Sequence, residues 1–141
     1  MTQNDELSSI LEDLRERINR LEQMQDLDLP EYLANWEHRD VAERELEKAA
    51  RCCLDCAERV ISLRSWENPG DNSAVFDVLG EHEVLDVDVA QRIRELAALG
   101  DMLVYKPRRM GDAEVHRLFQ KMPAVLRAYG RAVRAPVGGL S

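Results

Sequence analysis

Leu7, Leu11, Leu14, Ile18 and Leu21 recur at spacings of four and three, with Ile10 alongside and charged residues between. That periodicity predicts an amphipathic helix with a heptad-like seam. The seam is too short for a free-standing coiled coil, so it is expected to pack within a bundle or across a dimer. Pro30 either ends this helix or starts the next. A long second helix is predicted over about 31–63, its buried stripe marked by Leu46, Ala49, Ala50, Cys53, Leu54, Ala57, Val60 and Ile61. Asn68-Pro69-Gly70-Asp71-Asn72 reads as a loop. A short helix over about 73–80 is expected to end at Gly80 as its C-cap. The next, about 86–104, buries Val89, Ile93, Leu96, Ala97 and Leu103, and Pro107 interrupts or follows it. Asp112 reads as the N-cap of a last helix carrying Val115, Leu118, Phe119, Val125 and Leu126, which Pro123 kinks or splits. The expected architecture is an all-α up-and-down bundle of about five helices, one domain over 1–135 with a flexible tail over 136–141.

Composition agrees with helices: 45% of the 141 residues are apolar but only 5% aromatic, with five prolines and seven glycines. The net charge of −8 excludes a chain that binds polyanions over its whole surface. The charge is unevenly spread, however. Residues 1–100 hold 11 basic and 24 acidic side chains, whereas residues 101–141 hold 8 and 3. A phosphate-bearing partner is therefore expected to meet the last third of the chain first. No apolar run approaches the roughly 18 residues of a membrane span, and MTQNDELSS lacks the features of a signal peptide. With three cysteines inside five residues, a disulfide framework is not expected, and the chain reads as cytoplasmic.

Cys52, Cys53 and Cys56 fall mid-helix with no second Cys or His pair at zinc-ligand spacing, and Cys53 lies on the apolar stripe. They read as core thiols, and neither a metal nor a cofactor is expected. Asp55, between Leu54 and Cys56, is either a structural ion-pair partner or an acidic group in a polar pocket. His38 and His82 sit among charges and read as solvated. Lys106, Arg108 and Arg109 form a basic cluster beside Tyr105 that could hold a phosphate or simply be solvated.

The order of residues carries more. Ala42-Glu43-Arg44-x-Leu46-Glu47-x-Ala49, running into Cys53-Leu54-Asp55-Cys56-Ala57-x-x-Val60-Ile61-Ser62, is similar to the signature AxERxLxxAIxxCIDIAxxII. Val75-Phe76-x-Val78-Leu79 and Val84-Leu85 resemble the block that follows it. Leu96 to Pro107 falls where MAGFRNxLVHxY stands, and Asp112-Ala113-Glu114-Val115-His116-x-Leu118 opens the last helix. From about 30 to 131 the chain thus resembles the HepT branch of the HEPN superfamily.

The resemblance implies a helical homodimer working beside an MNT-type nucleotidyltransferase. The HEPN member is a metal-independent RNA-cleaving toxin and the nucleotidyltransferase its antitoxin. In the family motif the His moves a proton near neutral pH and the Arg neutralises the charge developing on phosphorus. The Tyr is where the antitoxin attaches nucleotides. In this sequence the Arg position is Gly100, the Asn position Asp101, the His position Tyr105 and the Tyr position Pro107. Tyrosine, with a reference pKa of about 10, is a poor proton shuttle at neutral pH. Losing a general acid–base group costs about 10²–10⁴ in rate. Pro107 has no hydroxyl to modify.

Arg109 and His116, with six residues between them, offer a relocated Arg–His pair. With 16 arginines in the chain and several permitted spacings, such a match is expected by chance, and the alignment puts His116 where the family has an aromatic packing residue. Two readings follow. One is a HepT-like member of a toxin–antitoxin module, a ribonuclease by descent whose catalytic motif is degraded. The other is a non-enzymatic nucleotide- or partner-binding subunit of a nucleotidyltransferase, its cleft lined by Tyr105, Lys106, Arg108, Arg109 and Asp55. A dimeric scaffold assembled through the Leu7–Leu21 seam is a third.

Overall fold

The computed structural model describes residues 3–105 and 111–138, with side chains over 5–101 and 111–134. Six helices form, α1 (Gln3–Gln23), α2 (Leu29–Ala34), α3 (Trp36–Leu63), α4 (Ala74–Glu81), α5 (Val87–Tyr105) and α6 (Asp112–Gly138), and no strand is present among the described residues.

The seam of α1 is buried inside the chain: Leu7, Leu11, Leu14, Ile18 and Leu21 are each 5% exposed or less, packed against α3 and α6. Each such side chain contributes about 1.5–3 kcal/mol by leaving water. That burial removes the seam as an assembly surface and with it the scaffold reading based on it. α3 is the central element and contacts all five other helices. Its inner face presents Leu46, Ala49, Cys53, Cys56, Ala57 and Val60, all nearly or fully buried, and the Tyr129 hydroxyl of α6 donates to the Cys53 carbonyl at 2.6 Å.

Several expectations from the sequence need correction. The helix read as 31–63 is two helices, broken at Asn35, whose backbone is extended (φ −132°, ψ 111°). Its side chain accepts from the Glu37 N–H at 2.9 Å, so it ends α2 and caps α3 at once. Pro30 starts α2, behind a capping box of Asp28 and Glu31. Gly80 lies inside α4 rather than at its C-cap. The left-handed residue that closes α4 is Glu83 (φ 61°), with Val84 N–H bonding the Leu79 carbonyl at 2.9 Å and Glu83 N–H the Gly80 carbonyl at 3.0 Å. Ser65 (φ 59°) closes α3 in the same way.

Asp112 is the first helical residue of α6 rather than its N-cap. The Gly111 carbonyl accepts the opening bonds from Glu114 and Val115. Pro123 does not split α6, because Phe119, Met122 and Leu126 anchor the helix in the core on both sides of the missing N–H. The helix continues past Pro136 to Gly138, into the stretch read as a loose tail. His38 is half-buried rather than solvated, and the exposed His82 stacks on Trp66 at 3.7 Å between ring centroids. No described helix is long and apolar enough to cross a membrane.

Candidate functional site

Gly100, Asp101 and Tyr105 lie in the last turns of α5, which packs against α3. Gly100 is buried, and a Cβ built on it would stand 3.0 Å from the Cβ of Ala50. The two helices approach this closely only because residue 100 has no side chain. An arginine in the family's place would start inside that contact. Asp101, next along, is exposed. Between α3 and α5 the backbone leaves a groove of about 220 Å³ lined by Glu47, Ala50, Arg51, Leu54, Asn72, Ala97, Gly100 and Asp101. Its charged lining is thus one arginine against two carboxylates, and no described histidine enters it. Tyr105 closes α5 with its side chain outside the described residues, and Lys106, Pro107, Arg108 and Arg109 lie outside them altogether.

Asp55 is half-buried and does not line that groove. It faces the α1 side of α3, in a groove of about 310 Å³ with Asp13, Arg17, Lys48, Arg51 and Cys52. Arg51 borders both grooves. Among the described residues Asp55 makes no ion pair.

His116 is 8% exposed. Its Nε2 lies 2.8 Å from the Leu27 carbonyl, and because a carbonyl only accepts, Nε2 carries the proton and donates it. Its ring packs beside Tyr32 (5.3 Å) and edge-on to Phe119 (5.1 Å). These contacts tie α6 to the loop before α2 and give the imidazole a packing role.

The three thiols are free and buried. Burial, reinforced by Asp13, pushes the Cys52 thiol up to about 12, and burial also raises Cys53 and Cys56. They are therefore protonated and unreactive near neutral pH. Among the described residues no cluster of three or more His, Cys, Asp or Glu side chains could hold a metal ion.

Two other features are less visible in residue order. Arg17 and Glu45, 6% and 2% exposed, form a buried pair between α1 and α3. Arg17 Nη1 donates to Glu45 Oε2 at 3.0 Å, and Arg20 Nη1 reaches Oε1 at 3.3 Å. The sign was there to read: Arg17 stands three after Leu14 and four before Leu21, and Glu45 three after Ala42 and four before Ala49, both on apolar faces. Tyr32 is likewise fully buried with its hydroxyl unpartnered, and burial raises its pKa.

A family profile described as "Ribonuclease HepT-like" matches residues 14–132. The chain belongs to the HepT-like family. A curated relative from Aphanizomenon flos-aquae (strain 2012/KM1/D3), named tRNA nuclease HepT, is 23% identical over 117 residues, covering 83% of this chain and 78% of the relative. Among solved structures, the tri-AMPylated Shewanella oneidensis HEPN toxin in complex with its MNT antitoxin superposes with a TM-score of 0.84 at 13% identity, covering 96% of this chain and 99% of that one. YutE from Bacillus subtilis, a cytosolic protein of unknown function, gives 0.76 at 16% identity over 93% and 87%. At those identities the structural likeness establishes the HepT-like fold.

Proposed function

We propose that this HepT-like chain is the HEPN component of a toxin–antitoxin pair, acts as a homodimer, binds an MNT-type nucleotidyltransferase antitoxin, and does not cleave RNA at its motif groove. Family membership supports the pairing. The observation that carries the loss of cleavage is the Gly100–Ala50 contact: the helix crossing is packed around the absence of the family's arginine. Glu47 and Asp101 beside it make the groove unfavourable to a phosphorane. His116 offers no ready substitute, since its Nε2 proton is committed to the Leu27 carbonyl.

The test has two parts. Co-expression with a neighbouring MNT-type protein should yield a complex whose mass fits a HEPN dimer, and a lone monomer that ignores the nucleotidyltransferase would defeat the pairing. Purified dimer incubated with tRNA and single-stranded RNA in EDTA should cleave no faster than buffer. Cleavage that disappears in Arg109→Ala and His116→Ala proteins would mean instead that the reaction has moved to that pair.

A further inference from the structure

A third groove, of about 240 Å³, runs between α1 and α6 and shares no lining residue with those at Gly100 and Asp55. Leu14 and Ile18 floor it, and Arg15, Arg127, Arg131 and Arg134 surround it. Arg127 is committed: its Nε donates to Glu22 at 3.0 Å and its Nη2 to Asn19 at 3.2 Å. Arg15, Arg131 and Arg134 are not, for among the described residues none of them makes an ion pair with a carboxylate. In a chain with 27 acidic and 19 basic side chains, three cations converging without a carboxylate leave positive charge for an outside anion. Gly130 borders open space, since a Cβ there would meet nothing within 4 Å.

The charge extends beyond the groove. α6 has Asp112 and Glu114 in its first turn and no acid afterwards, whereas Arg117, Lys121, Arg131 and Arg134 are exposed along it. At helical spacing these four and Arg127 fall within an arc of about 140° and along a rise of about 26 Å. A lone carboxylate or mononucleotide would use only the groove, whereas a strip of this length suits a ligand whose charge repeats. Among the described residues, exposed large apolar side chains, the usual anchors of protein interfaces, occur at Leu33, Trp36, Val41 and Val87 and not on this face. Guanidinium groups match phosphate oxygens in paired hydrogen bonds.

We propose that the α1–α6 groove and the exposed basic face of α6 bind the phosphate backbone of RNA. The choice of RNA as the polyanion rests on the HEPN-component reading above, but the surface requires neither cleavage nor the antitoxin. The test is fluorescence anisotropy of a labelled oligouridylate with the purified full chain in EDTA, over a salt series. Arg131→Gln/Arg134→Gln should bind about 10-fold more weakly and lower the slope of log affinity against log salt by about 1.4, at roughly 0.7 per phosphate contact removed. Arg92→Gln/Arg94→Gln, which removes α5 arginines already paired with Asp88 and Asp77, should bind like the wild type. Unchanged thermal midpoints will show that the fold is intact. Wild-type protein that leaves the oligouridylate free at low salt overturns the proposal, as does equal binding by both double variants. Loss of the nucleotidyltransferase complex in Arg131→Gln/Arg134→Gln with RNA binding unaffected also overturns it, and would make this face a protein-docking surface. A chain that fails to pair with an antitoxin leaves the RNA measurement intact, so the two readings fail separately.

Discussion

Replacing Glu45 with alanine should be among the most damaging single changes in the molecule. The Glu45 carboxylate is 2% exposed and takes hydrogen bonds from Arg17 Nη1 at 3.0 and 3.3 Å and from Arg20 Nη1 at 3.3 Å. Its removal leaves the Arg17 guanidinium buried at the α1–α3 contact, facing only Asp13 and Glu16 at 3.5 Å, both largely exposed carboxylates. Stranding one member of a buried pair costs about 3–5 kcal/mol. Because two weaker partners remain, the lower end applies, about 3 kcal/mol, a large part of the roughly 5–15 kcal/mol that stabilises a domain. For a chain of this length that is a fall of about 10 °C in Tm. Urea and thermal unfolding of Glu45→Ala at neutral pH will measure it. Arg20→Ala serves as the control, because Arg20 is half-exposed and solvent screens its pairs, so its loss should barely move the midpoint. Arg17→Met/Glu45→Leu, which removes both charges and keeps the volume, should recover most of the loss. A cost below about 1 kcal/mol for Glu45→Ala would refute the reasoning. So would a double variant no better than the single one, since the defect would then be one of packing.

Gly100→Ala should destabilise by about 1 kcal/mol, because overpacking against Ala50 outweighs the gain in helix propensity. Adding Ala50→Gly should relieve that cost, and a stabilised Gly100→Ala protein would show that the helices can part. Glu83→Gly should stabilise by about 1 kcal/mol, because it removes a side chain from a left-handed backbone at φ 61°, and urea midpoints will check it. The cysteines should react with a thiol reagent only on unfolding. For Cys52, raised from 9.0 to about 12, folded and unfolded states both hold the proton below pH 9. Above that, the unfolded thiol ionises while the native one does not, so stability falls with rising pH by up to about 1.4 kcal/mol per pH unit. Cys52→Ala should flatten that alkaline decline in urea midpoints measured across this range.

Periodicity located the helices because most of them bury one stripe, and the α1 seam came through residue by residue. What it concealed was local. Asn35 reads as one more polar position on a long helix, and only its extended backbone, with the side chain turned onto Glu37, shows it to be a junction. Gly80 looked like a terminator because glycine is the usual left-handed residue, yet the helix closes at Glu83. In the site, residue order alone drew attention to Gly100 and Asp101. That Gly100 sits against Ala50, and that Asp55 faces a different groove, depends on how α3 and α5 cross, which no spacing encodes. The α1–α6 groove was hidden because Arg15 and Arg131 are far apart in sequence. Only the sign of the last third of the chain hinted at it.

The contact of α3 with all five other helices has a consequence for how the molecule can come apart. The remaining helices share only partial contacts among themselves, so no fragment lacking α3 retains a closed core, and α3 alone exposes a stripe from Leu46 to Ile61. Among the described residues no half keeps a closed core by itself, so unfolding is expected to be a single all-or-none event.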